Sequence, residues 1–268
     1  MGVRRPQIMG IVNVTPDSFS DGGRLPTREA AVSHGLALIA AGADILDIGG
    51  ESTRPGADPV SEAEELERVL PLIADLRARS PVPISIDTMK PAVARAAMAA
   101  GADIWNDVTA LTHDPSSLAA AADLGCEVVL MHMKGDPKTM NAEAQYEDVV
   151  QEVCAYLAGR AAAAVAAGVA PAKVWLDPGL GFAKTAAHSL ALMTALERVV
   201  ALGFPVLLGA SRKSFIKAVD PAAESADQRL GGSLAAAIRG AEAGVAVVRV
   251  HDVAETRQAL DAWAAIRH

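Results

Sequence analysis

A carboxylate at the end of an apolar run is the first chemical signal in this chain: Val174-Trp175-Leu176-Asp177 runs straight into Pro178-Gly179-Leu180-Gly181-Phe182. Pro fixes φ and Gly reaches conformations closed to other residues, so the segment reads as a buried strand stopped by a tight turn. A carboxylate desolvated at that point needs hydrogen-bond donors. Alone, Asp177 could simply cap the following loop. The other apolar runs, however, end in Asn13, in Asp47 with Glu51, in Asp87, in Asn106 with Asp107, in Met131 with His132, in Ser211-Arg212-Lys213, and in Arg249 with His251. Each has a bland alternative (Asp87 capping the next helix, Asn106 holding a turn), but polar groups at nearly every strand end read together as a site.

Two chemistries are present. Asp87, Asn106 and Asp177 are acceptors suited to a flat, donor-rich heterocycle, because a carboxylate receives two parallel N–H bonds from an amidine-like edge. Arg54, Arg212, Lys213, Arg249 and His251 are cationic and, clustered at one mouth, would neutralise phosphate oxygens. Asn13, at the end of the first apolar run, could ligate a hard cation such as Mg²⁺, which prefers oxygen and bridges phosphates. The combination points to a polar heterocycle that carries phosphate. Two Gly/Pro/Ser-rich loops, from Thr15 to Gly23 and from Gly49 to Gly56, are longer than their connections need and are candidate lids. Phe19 in the first is an exposed aromatic in a chain with few.

Positioning so many strand ends at one rim requires a parallel sheet with one orientation. Strand-like and helix-like segments alternate throughout, the pattern of βα units. The spacing predicts strands near 8–14, 44–48, 83–87, 104–107, 127–132, 174–177, 206–209 and 246–250. Helices are predicted near 27–41, 61–79, 90–100, 116–124, 145–168, 188–202, 226–243 and 254–266. Ala41-Gly42-Ala43-Asp44 recurs as Ala100-Gly101-Ala102-Asp103, with echoes at Leu124-Gly125 and Ala243-Gly244, each marking a helix C-terminus that feeds a strand. Ser61 with Glu64, and Ser225 with Gln228, read as capping boxes. Eight repeats in this length fit a single-domain (β/α)8 barrel over residues 1–268 better than a doubly wound sheet, and no Gly-rich dinucleotide fingerprint follows the first strand.

Composition agrees. Of 268 residues, 51% are hydrophobic but only 3% aromatic, so the core is built of aliphatic residues, as suits parallel strands covered by Ala-rich helices. A net charge of −8 argues against a nucleic-acid surface. Cys126 and Cys154 have no partner at metal spacing and read as reduced, buried thiols. No apolar stretch is expected to span a membrane and no signal-peptide pattern opens the chain, so a soluble cytoplasmic protein is expected. Lys134 and Lys184 are expected to be solvated.

The stretches Met9 to Gly23 and Asp47 to Gly56 closely resemble the two signatures of the dihydropteroate synthase family. Ser85-Ile86-Asp87-Thr88, Met131-His132-Met133, Asp177 to Phe182, Ser211-Arg212-Lys213-Ser214 and Arg249-Val250-His251-Asp252 resemble it too, in order along the chain. Ala183 departs from the family, which commonly has Gly there. The resemblance implies a (β/α)8 transferase of folate synthesis that joins 6-hydroxymethyl-7,8-dihydropterin diphosphate to p-aminobenzoate and releases pyrophosphate. It implies that Asp87, Asn106, Asp177 and Lys213 hold the pterin, with Met131 and Phe182 lining its slot. Asn13 would bind Mg²⁺ and, with Thr53, Arg249 and His251, face the diphosphate. Phe19, Thr53, Arg54 and Ser214 would frame the p-aminobenzoate pocket, and Asp87, Asp177, Lys213 and Arg249 would carry the catalytic roles. A homodimer is also implied. Two other readings compete: a Schiff-base aldolase using Lys213, and a pterin-binding module without catalysis.

Overall fold

The computed structural model describes residues 5–15, 27–53, 56–136, 138–140 and 142–267. Eight strands form one parallel sheet: β1 (Gln7–Asn13), β2 (Ile45–Gly49), β3 (Ile84–Asp87), β4 (Ile104–Asp107), β5 (Glu127–Met131), β6 (Val174–Asp177), β7 (Leu207–Leu208) and β8 (Val247–Val250). The hydrogen-bonded order runs from β6 through β5, β4, β3, β2 and β1 to β8 and β7. The remaining seam is bridged where Leu176 pairs with Val206 and donates its N–H to Pro205 O at 2.9 Å. The sheet therefore closes nearly completely, and the (β/α)8 expectation is borne out.

Because side chains alternate across a strand, one set of positions fills the barrel and the other meets the helices. Met9, Ile45, Ile104, Val129, Trp175, Leu207 and Val247 pack together as the interior plug. Val12, Leu46, Ile86, Trp105, Leu130, Leu176 and Val248 belong instead to the larger cluster shared with the surrounding helices. Each fully buried aliphatic side chain contributes about 2 kcal/mol. Two residues beyond the plug, on the same face, stand Asp47, Asp87, Asn106, Met131, Asp177 and Arg249. The plug is thus the floor beneath a polar layer.

The helices are α1 (Arg28–Ala40), α2 (Glu62–Arg77), α3 (Pro91–Ala100), α4 (Ser117–Leu124), α5 (Val149–Ala166), α6 (Ala186–Thr194), α7 (Leu196–Val200), α8 (Ser214–Val219), α9 (Leu230–Ala243) and α10 (Val253–Ile266). Gly42, Gly101, Gly125 and Gly244 all take positive φ, as the repeated Gly at helix ends predicts. The Ser225–Gln228 capping box forms, although on a 3₁₀ turn that precedes α9. At α2 only half of the expected box is made: Ser61 Oγ accepts from Glu64 N, while the Glu64 carboxylate pairs with Arg68.

Three boundaries differ from expectation. The helix predicted over 188–202 is broken at Ala195 into α6 and α7. There Thr194 Oγ1 bonds back to Leu190 O, and Arg239 Nη2 captures Thr194 O at 2.9 Å. The helix predicted from 145 begins only after Asp148, whose carboxylate accepts from Val150 N and Gln151 N. The short α8 has too few residues to show a helical period and was absent from the sequence reading. α5 is also, among the described residues, by length and composition alone long and apolar enough to cross a membrane, contrary to expectation. Val149, Val153, Leu157, Ala161 and Ala164 on it are buried within the fold.

Candidate active site

Arg249 of β8 is the centre of the polar layer. Its Nε donates to Asp47 Oδ2 at 2.6 Å and its Nη2 to Asp87 Oδ2 at 2.9 Å, so three strands remote in sequence are tied by one guanidinium. Asn106 Nδ2 approaches both Asp47 oxygens at 3.4 Å. Asp47 is fully buried, and Asp87 Oδ1 is buried with no partner among the described residues. Burial pushes the Asp87 carboxyl up to about 7 against the pull of Arg249, with Asp47 pushing the same way as burial.

Across the mouth, Asp177 Oδ1 accepts from Gly179 N at 2.7 Å. Its carboxyl is raised by burial, opposed first by Lys213. Asp177 Oδ2 lies 3.8 Å from where a Cβ on Gly209 would be, so bare backbone stands opposite it. Lys213 donates to Leu180 O, and its Nζ lies 4.4 Å above the centre of the Phe182 ring. Burial lowers the Lys213 ammonium to about 8, while Asp177 holds the charge on. Gly179 has φ +65°, and a Cβ there would fall 2.0 Å from His132 O, so only glycine fits. Met89, Val108 and Met131 form a small apolar cluster with Met133 and Phe182 beside these groups. An apolar slot edged by Asp177, Asn106, Asp87 and Lys213 can take a flat, polar-edged ring.

Asn13, Gly49 and Asp87 are neighbours in register across β1, β2 and β3. A Cβ on Gly49 would come within 3.2 Å of Asn13 Oδ1 and 3.7 Å of Asp87 Cβ, so the glycine leaves open a cradle faced by a carbonyl oxygen. Ser211 Oγ lies 3.0 Å from His251 Nδ1 and accepts from His251 N at 3.2 Å. The two contacts together fix the orientation of the His251 ring at the end of β8. Thr53 is half-buried in the loop after β2, and Ser214 is exposed at the start of α8. Phe19 and Arg54 lie outside the described residues.

A family model described as Pterin binding enzyme matches residues 9–251. The chain is 49% identical to dihydropteroate synthase of Neisseria meningitidis serogroup B, across 99% of this chain and 94% of that one. It belongs to the dihydropteroate synthase family. Among solved structures, dihydropteroate synthase of Xanthomonas albilineans with 4-aminobenzoic acid superimposes with a TM-score of 0.92 at 50% identity, covering 100% of this chain and 95% of that one. The same enzyme in complex with 7,8-dihydropteroate gives a TM-score of 0.89 at 48% identity, with the same coverage. The chain is accordingly a transferase of folate biosynthesis.

Membership in the dihydropteroate synthases does not place every polar strand end in the mouth. Asp107, next to Asn106, points out of the barrel: its carboxylate accepts from Thr109 N and Thr109 Oγ1 at 2.7 Å and from Leu111 N at 3.0 Å, closing a turn. Arg212, expected among the phosphate-facing cations, pairs through its guanidinium with Asp252. Glu51 accepts from Val60 N at 3.0 Å and from Lys90 Nζ at 2.5 Å, holding the base of the second loop. The reason is common to all three. Adjacent residues face opposite ways, and a charged group beyond the rim takes the nearest partner.

Lys184 is buried, not solvated as expected. Burial lowers it to about 7, with the like charge of Lys213 adding to the effect. It contacts His132, itself pushed down to about 3 chiefly by burial and so neutral. Lys134 pairs with Glu152 and lies over the Tyr146 ring. His188, given no role from sequence, completes the cap of α6. The two cysteines are free and half-buried. Among residues that sequence reasoning missed, Asp47 had been seen as a strand end but not as the anchor of Arg249. Met89, Met133 and Val108 were not singled out for the slot, although Val108 follows Asn106-Asp107 directly and could have been found by that adjacency.

Proposed function

We propose that the chain transfers the 7,8-dihydropterin-6-ylmethyl group from its diphosphate to p-aminobenzoate, with the pterin seated in the slot between Phe182 and Met131. The observation that carries this reading is the one rim that gathers Asp87, whose Oδ1 has no partner among the described residues, with Asn106 and Asp177, while Arg249 and Lys213 supply positive charge beside them. Asp177 Oδ2 and Asp87 accept from the N–H edges of the ring, and Asn106 adds a further amide contact. Lys213 donates to a ring acceptor from its place above Phe182.

The C–O bond between the 6-methylene and the diphosphate breaks with its electron pair leaving on oxygen. The electron-rich ring holds the resulting positive charge, which Asp177 and Asp87 favour electrostatically. The amine of p-aminobenzoate then forms the new C–N bond and loses a proton. No protein atom becomes covalently attached, so the protein contributes position and field. Arg249, Thr53 and His251 face the departing diphosphate. Phe19, Thr53, Arg54 and Ser214 frame the p-aminobenzoate pocket in this reading.

Mg²⁺ fits the donors present. Among the described residues no cluster of His, Cys, Asp or Glu could hold a metal alone, whereas the Asn13 carbonyl beside the Gly49 cradle supplies the single hard oxygen that Mg²⁺ takes alongside phosphate and water. When bound, it would neutralise charge on the leaving diphosphate. The family resemblance further supports a cytoplasmic protein and a homodimer, and sedimentation of the purified chain tests the dimer. The test of the reaction is pyrophosphate release with and without p-aminobenzoate and Mg²⁺. Release that requires both supports the reading, and release indifferent to p-aminobenzoate sinks it. Lys213 donating to Leu180 O within the field of Asp177 is held as a charge, and the absence of borohydride trapping on Lys213 is the expected companion result.

A further inference from the structure

The loop from Pro178 to Thr185 carries the Phe182 wall of the slot, and its shape is held from behind. Lys184 Nζ has three acceptors for its three N–H groups: His132 Nδ1 at 2.9 Å, Phe182 O at 2.9 Å and His132 O at 3.2 Å. His132 is in turn fixed to β6, since its N–H donates to Asp177 O at 3.0 Å. Its ring packs edge-on against Tyr156, with centroids 4.8 Å apart. The next loop carbonyl, Ala183 O, accepts from Tyr146 Oη at 2.9 Å. Ala183 itself sits at φ +49°, a conformation costing an L residue about 1 to 2 kcal/mol. The loop keeps that strained turn because its carbonyls are captured one after another.

We infer that Lys184 is a positioning residue for the pterin slot: its ammonium clamps the end of β5 to the β6 loop and so sets the height of the Phe182 ring beneath Lys213. It does not touch substrate. The route from Lys184 to the slot is short, because the captured Phe182 carbonyl belongs to the residue whose ring meets Lys213 Nζ at 4.4 Å. A buried ammonium with every donor used is stable only where its acceptors are fixed, so the clamp orders both segments at once. The sequence hides this role, since nothing in Ala183-Lys184-Thr185 tells which way the lysine points.

The inference rests on the pterin reading of the slot, and a double-mutant cycle between Lys184→Met and Phe182→Ala tests the two separately. Lys184→Met is expected to lower kcat/KM for dihydropterin diphosphate by about tenfold, with the KM for p-aminobenzoate held within about twofold. On the Phe182→Ala background the same change is expected to cost less than about threefold, because the ring it positions is gone. Additive losses, or equal losses for both substrates, overturn the clamp. An unchanged dihydropterin diphosphate kcat/KM in Phe182→Ala alone overturns the slot reading instead. Should Lys184→Met fail to fold, Tyr146→Phe removes the neighbouring capture of Ala183 O with less disturbance. It is expected to act in the same direction by about threefold, and a Tyr146→Phe enzyme with wild-type constants likewise overturns the inference.

Discussion

The ends of β3 and β4 present two carboxylates, Asp87 half-buried and Asp107 fully buried, that spend their oxygens differently. Asp87 faces the barrel axis, with one oxygen on Arg249 and the other without a partner among the described residues. Asp107 faces outward, and both oxygens are taken by its own turn. Burial raises both, to about 7 and about 6. A perturbed carboxyl therefore does not by itself distinguish chemistry from architecture here. What separates them is hydrogen-bonding capacity left unspent at the mouth: Asp87 keeps an acceptor for a ligand and Asp107 does not. The two lysines that meet the loop after β6 divide in the same way, Lys213 reaching in from the start of α8 to stand over the Phe182 ring and Lys184 saturated behind it.

The widest gap should open between an inward and an outward carboxylate. Asp177→Asn turns an anionic acceptor into a group that also donates, and is expected to lower kcat/KM by about a hundredfold or more with the fold intact. Turnover near wild type would remove Asp177 from the reaction. Asp107→Ala should do the reverse. Losing a buried acceptor of three hydrogen bonds should lower stability by about 3 kcal/mol, read by urea denaturation, while kcat in the folded fraction stays within about threefold. A large kinetic loss without a stability loss would erase the contrast.

The pH dependence of stability sharpens it further. The Asp87 carboxyl is raised in the folded state to about 7, so the folded protein keeps a proton that the unfolded chain releases near the ordinary carboxylate range. That contribution is full below the unfolded value, about 4, and is lost as pH rises through about 7. Asp87→Asn cannot titrate. Its melting temperature should gain on that of the wild type between about pH 4 and pH 7, and parallel profiles would show that Asp87 is ionised throughout. The smallest effect belongs to Ala183→Gly. Relief of about 1 to 2 kcal/mol of backbone strain, set against about 1 kcal/mol of greater unfolded-state freedom, leaves a gain of about 0.5 kcal/mol. A lower urea midpoint would mean that packing of the Ala183 methyl outweighs the strain.

Much of this was legible in the sequence because it is periodic or local. The βα alternation, the glycines at helix ends and the polar strand ends each leave a pattern within a few residues. The slot was partly legible, since Met131 and Phe182 belong to motifs, whereas Met89 looks like ordinary core and Met133, though in the same motif as Met131, carried no sign of which way it points. Arg212 was misplaced because its partner, Asp252, lies 40 positions away. α8 was missed because six residues are too few for a period.

The order of residues along the chain determined the barrel, and it determined that carboxylates and cations would gather at one rim, because parallel βα units point every strand end the same way. It could not determine which member of an adjacent pair faces inward. Asn106 and Asp107 stand side by side in the sequence, and only the register of β4 between β3 and β5 sets which of them lies level with Asp87 on the barrel face; Lys184 and Lys213 likewise divide by where their loops carry them. Only then does one carboxylate keep an open acceptor while its neighbour spends both oxygens on a turn, since hydrogen-bond capacity is consumed by whatever the tertiary structure brings within reach.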